Sequence, residues 1–235
     1  LPINADAGAF LLEMLSRIEQ TGQTRLAVEP WRERCRSWKK RYPVVLPEYK
    51  DNADKINSFH FVDQLAEKLG PDAVVVTDMG TSFTCTMQTF KIKQGQRLFT
   101  SSGLASMGFG LPGAIGACLA NGRKPMVAVE SDGSLQLNLQ ELATLVAQKL
   151  PITLIVMNND GYASIRNTQR NYFSARYIGT GPEAGLMMPD LEKVADTYGL
   201  PFLRIEDAAQ LEEGLREMLA TPGPRLIDLR LTPNE

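Results

Sequence analysis

The sequence predicts an α/β protein of three layers, with helices on both faces of a mainly parallel sheet and a helical segment of different character in front. Three observations predict it. From Ile56 onward, short apolar runs alternate with helical patterns, the mark of successive βα units. The runs are apolar throughout rather than at every second residue, as strands buried on both faces are. Oxygen-bearing side chains stand at the ends of two of them: Asp132 shortly after Met126–Val129, and Asn158-Asn159 after Ile152–Met157. That is the edge at which open parallel sheets bind ligands.

Length and composition set the bounds. The 235 residues suffice for one large α/β domain or one domain plus part of another, and 43% apolar residues is ordinary for a globular chain. A formal charge of −2 gives no footprint for nucleic acid or for an acidic membrane surface. Cys35, Cys85 and Cys118 match no zinc or redox spacing, so small buried hydrophobes in a reducing, cytoplasmic setting are expected. No run approaches the ~18 apolar residues of a membrane span. The chain does not begin with Met, and Leu1–Asn4 reads as the end of a strand; a piece of a longer polypeptide is expected.

In chain order, Ala5–Gln20 reads as a helix with Asp6 as cap and Phe10, Leu11, Met14, Leu15 and Ile18 on one face, ended by Thr21-Gly22. Pro30–Tyr42 is a charged helical stretch carrying both Trp residues, read as a solvated linker helix. Pro43, Pro47 and the polar run Glu48–Lys55 read as an interdomain linker. Ser58 is positioned to cap a helix over Phe59–Leu69, and Gly70-Pro71-Asp72 turns the chain into the strand Ala73–Thr77. Asp78–Ser82 leads into a helix, Leu98–Thr100 is a short strand, and Gly103–Gly116 is a glycine-rich entry to a helix ending near Asn121-Gly122. Strand Met126–Val129, amphipathic helix Leu139–Leu150 and strand Ile152–Met157 follow. Gly161–Phe173 is a loop leading into a helix, and Ala175–Pro189 is a long loop. Helix Asp190–Tyr198, strand Phe202–Ile205, helix Ala208–Leu219 and strand Arg225–Leu231 complete the chain.

Gly108-Phe109-Gly110-Leu111-Pro112-Gly113 satisfies G-x-G-x-x-G, with Asp132 about 20 residues further on, which taken alone predicts a dinucleotide site. The context argues against it. Seven residues, Ser101–Met107, separate the glycines from the preceding strand, and Pro112 would sit inside the phosphate turn. Close packing of a helix against its surroundings is the competing account of these glycines.

A different chemistry suits the Asp132–Asn159 stretch. Magnesium takes hard oxygen ligands and bridges to phosphate oxygens. Asp132 offers a carboxylate, Asn159 an amide oxygen, and Gly161 a backbone carbonyl. Gly133 and Ser134 follow at a loop-to-helix junction, where backbone N–H groups are available to a phosphate.

Asp132-Gly133-Ser134, followed 25 positions after Gly133 by Asn158-Asn159, resembles the thiamin-diphosphate signature, with Ser131 where the signature opens on glycine. Ser102–Pro112, Leu139-Gln140-Glu141-Leu142-Ala143-Thr144 and Thr221-Pro222-Gly223-Pro224 look like the C-terminal domain of acetolactate synthase and its relatives. The resemblance covers Ile56–Leu231. It implies a thiamin-diphosphate-binding fold, with residues 1–55 as the tail of a central domain plus linker and 56–235 as the C-terminal domain.

It also implies roles. Asp132, Asn159 and the Gly161 carbonyl would hold Mg2+, and Gly133, Ser134, Tyr162 and Ala163 would approach the diphosphate. Thr81 and Ser82 would add phosphate contacts. Met107 would lie under the cofactor and bend it, and the Ala105 carbonyl would accept a hydrogen bond from the pyrimidine amino group. The activating glutamate of the family lies on an N-terminal domain, usually the partner subunit's, so no catalytic residue is expected here and the chain alone is expected to be inactive. Glu130, Glu141 and the single histidine, His60, read as structural. FAD belongs to the central domain of some relatives, and nothing in this chain indicates it. Small 2-keto acids are the implied substrates and a homodimer or homotetramer through the cofactor site the implied assembly. The substrate region departs from the family: Thr168 stands where acetolactate synthases carry tryptophan, and Arg166 is an added cation, to meet a carboxylate or phosphate or to face solvent. A non-catalytic cofactor-binding module is the alternative function.

Overall fold

The computed structural model describes residues 2–22, 28–50 and 55–233. Leu1 and residues 51–54 of the linker stretch lie outside them. Pro2–Asn4, expected to end a strand, take no regular structure. The chain divides into two compact units, Leu1–Pro43 and Val44–Glu235, with the break in the stretch read as a linker.

The first unit holds helices α1 (Ala7–Gln20) and α2 (Glu29–Arg41). Asp6 caps α1 by accepting from the Ala9 N–H at 3.0 Å. In α2, Trp31 and Trp38 meet edge to face, ring centroids 5.6 Å apart. Neither helix buries a residue.

The second unit is built on a six-stranded sheet of order β2-β1-β3-β4-β6-β5, with every pairing parallel. The strands are β1 (Val74–Thr77), β2 (Arg97–Phe99), β3 (Met126–Ser131), β4 (Ile152–Asn158), β5 (Phe202–Ile205) and β6 (Arg225–Arg230). The helices are α3 (Ser58–Lys68), α4 (Thr81–Thr89), α5 (Gly110–Ala120), α6 (Asp132–Leu135), α7 (Leu142–Ala147), α8 (Ala163–Tyr172), α9 (Leu191–Tyr198) and α10 (Ala208–Ala220). Alternate residues of each strand feed two separate cores. Val74, Val76, Ala128, Leu154 and Val156 pack with α5, α7 and α9, while Val75, Val127, Val129, Ile155 and Met157 pack with α3, α4 and α10. This is why the strands read as continuous apolar runs. Among the described residues no helix is long and apolar enough to cross a membrane.

Three elements differ from their sequence reading. Asn57, not Ser58, caps α3, its side chain accepting from the His60 N–H at 3.1 Å. Ser58 is already helical, and its hydroxyl lies 3.0 Å from the Cys85 sulfur. Strand β3 runs to Ser131, because Glu130 and Ser131 pair with Val156 and Met157 of β4. The single helix expected over Leu139–Leu150 is a 3-10 turn, Leu139–Glu141, followed by α7. It stops at Ala147 because Lys149 turns left-handed (φ 50) and the Leu150 N–H closes back on the Leu145 carbonyl at 3.2 Å, a Schellman-type end. Leu150 remains fully buried, so the apolar pattern outlasts the helix.

The strand order places a topological switch between β1 and β3. From β1 the chain crosses through α4 to β2 on one side, and from β3 it crosses through α7 to β4 on the other. The two connections pack on opposite faces, which opens a crevice at the carboxyl ends of β1 and β3. Leu154 lies on central strand β4 and is fully buried. Leu154→Ala is expected to lower unfolding free energy by about 2–5 kcal/mol in chemical denaturation.

Candidate functional site

The crevice at the switch point is lined by Met79, Gly80 and Thr81 after β1, by Ser131, Gly133 and Ser134 at the end of β3, and by Asn159 and Gly161–Ile165 after β4, with Met107 beside them. Of the residues singled out from sequence, Thr81, Met107, Gly133, Ser134, Asn159, Gly161, Tyr162 and Ala163 come together here. Met79, Gly80, Ser131, Ser164 and Ile165 join them. Their signal is position: each adjoins a strand's carboxyl end or a residue already chosen.

Two oxygens distinguish this edge. Asp132 is 1% exposed. Its Oδ2 accepts from the Gly161 N–H at 2.7 Å, while Oδ1 is buried without a partner. Asn159 is 3% exposed. Its amide nitrogen donates to the Thr81 hydroxyl at 3.3 Å, which turns Oδ1 away, and that oxygen is also buried without a partner. Buried acceptors are normally satisfied, so two such atoms flanking one cleft call for a bound donor or cation. Burial pushes the Asp132 carboxyl up to about 6, against the N–H bonds from Gly161 and Gly133 that favour its charged form. A carboxylate, a side-chain amide and a nearby backbone carbonyl form a hard-oxygen donor set, which fits magnesium. Among the described residues no group of three or more His, Cys, Asp or Glu side chains is placed to hold a metal ion, at this edge or elsewhere. The other asparagine of the pair points away: Asn158 donates to Asp228 Oδ1 at 2.8 Å and accepts from the Asp160 N–H at 3.2 Å.

Gly133 is where backbone and ring meet, since a Cβ there would overlap the Tyr162 ring. Glycine at this position lets the α6 backbone face the cleft without obstruction. Met107, 38% exposed, sits at the end of the turn that precedes α5. That turn is pinned: the Asn138 amide donates to the Gly108 carbonyl at 2.7 Å, and Asp78 Oδ1 accepts from the Phe109 and Gly110 N–H groups at 2.7 and 3.2 Å. Glu130 Oε2 accepts from the Leu111 N–H at 2.8 Å. Two carboxyl groups thus cap the start of α5. Burial, then the Asp78 carboxyl group beside it, raises the Glu130 pKa well above the usual carboxylate range. Glu130 Oε1 and Asp78 Oδ2 are both buried without a hydrogen-bond partner among the described residues. Glu141 accepts from the Thr144 hydroxyl at 2.9 Å within its own turn.

The decoy glycines have packing work. A Cβ on Gly110 would overlap Glu130, and one on Gly113 would come within 2.9 Å of the Phe109 ring. Pro112 stands in the first turn of α5 rather than in a phosphate loop.

Four further sequence-chosen residues are not in the lining of the crevice. The Ser82 side chain is fully buried beneath the cleft, its hydroxyl donating to the Met79 carbonyl at 3.0 Å and accepting from Ser131 Oγ at 3.1 Å. It ties β1 to β3 and does not line the crevice. Ala105 occupies an exposed turn with φ 56 and does not line the crevice either. Thr168 is exposed, its hydroxyl spent on the Ser164 carbonyl one helical turn back at 3.1 Å. Arg166 meets neither of its two expectations. It is 4% exposed, and its guanidinium is taken up by four backbone carbonyls, those of Asn159, Asp160, Thr180 and Pro233, at 2.6, 3.1, 2.7 and 2.7 Å. The intervening loop folds back onto α8 and supplies acceptors that the local sequence does not reveal.

Comparison with known proteins agrees with this geometry. Residues 78–229 match the model of the family described as thiamine pyrophosphate enzyme, C-terminal TPP binding domain. The chain is 32% identical over 237 residues to the acetolactate synthase large subunit of Cyanidium caldarium, covering 100% of this chain and 39% of that protein. It is 33% identical over 232 residues to the large subunit of Parasynechococcus marenigrum, covering 98% of this chain and 36% of that protein. Against the chloroplastic acetolactate synthase 2 of Nicotiana tabacum it is 30% identical over 232 residues, 97% of this chain and 34% of that one. The chain therefore spans little more than a third of the length of these curated relatives. The family match takes in the β3–β4 unit and the residues around both unpartnered oxygens, and on that basis the chain belongs to the thiamine pyrophosphate enzymes, as their C-terminal TPP-binding domain.

Proposed function

We propose that this chain is the diphosphate- and magnesium-binding part of a thiamin-diphosphate-dependent carboligase or decarboxylase acting on small 2-keto acids. The observation that carries the metal assignment is the pair of buried, unpartnered oxygens, Asp132 Oδ1 and Asn159 Oδ1, at the switch-point edge. Asp132, Asn159 and the Gly161 carbonyl would hold the magnesium ion, whose preference for hard oxygen ligands they meet. Gly133, Ser134, Tyr162 and Ala163 line the same cleft, and Thr81 is there as well, which supports their assignment as the diphosphate cradle. Ser82 acts behind it, through Met79 and Ser131. Met107 is the proposed apolar support that bends the cofactor. The Ala105 carbonyl would accept a hydrogen bond from the pyrimidine amino group.

Bound thiamin diphosphate supplies the electron sink for a carbanion next to the former keto carbonyl. The chain's own residues anchor the charged end, present an apolar wall and exclude water. The glutamate that activates the cofactor would lie on an N-terminal domain, that of the partner subunit in a homodimer or homotetramer. Residues 1–55 would form the end of a central domain plus linker, and 56–235 the cofactor domain. Exposed apolar residues in the lining of the cleft, Met107 and Ile165, support an assembly that covers this edge. Three cysteines without a disulfide support a cytoplasmic setting.

Calorimetric titration of the full-length protein with thiamin diphosphate, with and without magnesium, tests the reading. Magnesium-dependent binding is expected. Asp132→Ala should weaken it by more than the about 10- to 100-fold typical of losing an outer-shell partner. Unchanged affinity in the variant would overturn the ligand assignment.

A pH dependence follows from the raised Asp132 carboxyl. Its folded value, about 6, lies above the reference 3.8, so the folded state holds the proton after the unfolded state has released it. Without a divalent ion, stability is therefore expected to fall as pH rises through this window and then level off. Asp132→Asn should flatten that slope. Urea titrations in chelator at about pH 4.5 and about pH 7 check it, and an equal slope in both proteins would assign the effect to another group.

A further inference from the structure

The turn that carries the Asn159 ligand is held in an unfavourable backbone conformation. Asp160 has φ 59 and Gly161 has φ 130, two successive left-handed residues, the first with a full side chain. Such a turn persists only where its surroundings over-determine it. The outer side is fixed by Arg230, whose Nη2 reaches both carboxylate oxygens of Asp160 at 2.9 and 3.0 Å, and by the Asn158 amide oxygen on the Asp160 N–H. The inner side is fixed by Arg166.

Arg166 Nη2 donates to the carbonyl of Asn159 at 2.6 Å and Nη1 to that of Asp160 at 3.1 Å. The same two nitrogens hold Pro233 and Thr180. The Thr180 carbonyl also accepts from the Tyr162 N–H at 3.0 Å. It lies so close to Gly161 that a Cβ there would overlap it, while Arg166 Nη1 would stand 3.1 Å from that Cβ. The metal turn is thus enclosed by one guanidinium and the loop it recruits. The Asn159 and Asp160 carbonyls are bonded to Arg166, while Asp132 Oδ1, Asn159 Oδ1 and, on the recruited loop, Thr180 Oγ1 are buried without a partner.

We infer that Arg166 is a positioning residue for the metal site: its planar fork presets the Asn159–Gly161 turn so that the ligand oxygens stand in the near-octahedral arrangement magnesium demands. This rests on the magnesium and diphosphate reading above. A lysine would keep the charge but could not span four carbonyls from one fixed plane. Calcium, which accepts irregular geometry, should tolerate a loosened turn far better than magnesium.

The test compares the full-length wild type with Arg166→Lys and Arg166→Met, measuring thiamin diphosphate affinity by calorimetry in magnesium and in calcium. Both variants are expected to lose about 10- to 100-fold in magnesium-dependent affinity, with a smaller loss in calcium, so that the magnesium-to-calcium ratio falls. A lowered melting temperature with an unchanged ratio would reduce Arg166 to a structural staple and overturn the inference. Wild type without any magnesium-dependent binding would instead overturn the underlying function. If neither variant folds, hydrogen exchange on the metal- and cofactor-free wild type decides. The Gly161 and Tyr162 amides are expected to be protected before any ligand is added. Rapid exchange that slows only on binding would show that the turn is not preset.

Discussion

Six consecutive residue pairs between β3 and β4, from Met126 with Ile152 to Ser131 with Met157, fix the level at which both strands leave the sheet. Asp132 follows directly on β3, and Asn159 directly on β4. A parallel pair with this register delivers two oxygen-bearing side chains to one edge without any further instruction. The switch between β1 and β3 then supplies the space, because α4 and α7 depart to opposite faces. A one-residue slip in that pairing would exchange the two cores and separate the two oxygens together. The fully buried runs on both faces make such a slip costly, so the packing that stabilises the sheet also sets the site.

The site is built against the preference of the apo protein. A carboxylate and an amide oxygen are withdrawn from water without partners, and two successive backbone residues are left-handed. The surroundings offset these costs from several directions: Thr81 orients the Asn159 amide, Gly161 holds one Asp132 oxygen, Arg230 and Arg166 close the turn from either side. Ser131, where the family signature opens on glycine, joins Met79 and Ser82 beneath the cleft. The hydroxyl there is absorbed by a contact between strand ends and leaves the proposed ligands unaltered.

The strands, their parallel order and the Asp132–Asn159 pair were legible in the sequence because each is written locally, in runs of apolar residues and in the polar residues directly after them. The exceptions are interactions between segments remote in sequence. Glu130 and Ser131 belong to β3 only because β4 extends alongside them. Arg166 reads as a cation that meets a carboxylate or phosphate or faces solvent, and nothing near it announces that Thr180 and Pro233 will bring carbonyls to it. Ser82 reads as a phosphate contact, yet helix α4 turns its hydroxyl under the cleft. Helical periodicity carried the Leu139–Leu150 pattern past its true end, since Leu150 is buried by a left-handed turn rather than by the helix. The acidic cap of α5 was invisible for the same reason: Asp78 and Glu130 come from two strands to meet a third segment.

That cap makes the turn bearing Met107 a shared possession. The turn is held by Asp78 after β1 and by Asn138 ahead of α7, and the start of α5 that continues it by Asp78 and by Glu130 at the end of β3. Transplanting Ser101–Phe109 from a relative would therefore move a piece whose fastenings stay behind. A graft that carried residues 78, 130 and 138 along with the loop would transfer the unit the fold recognises, and the boundaries of that unit follow hydrogen bonds rather than the order of the chain.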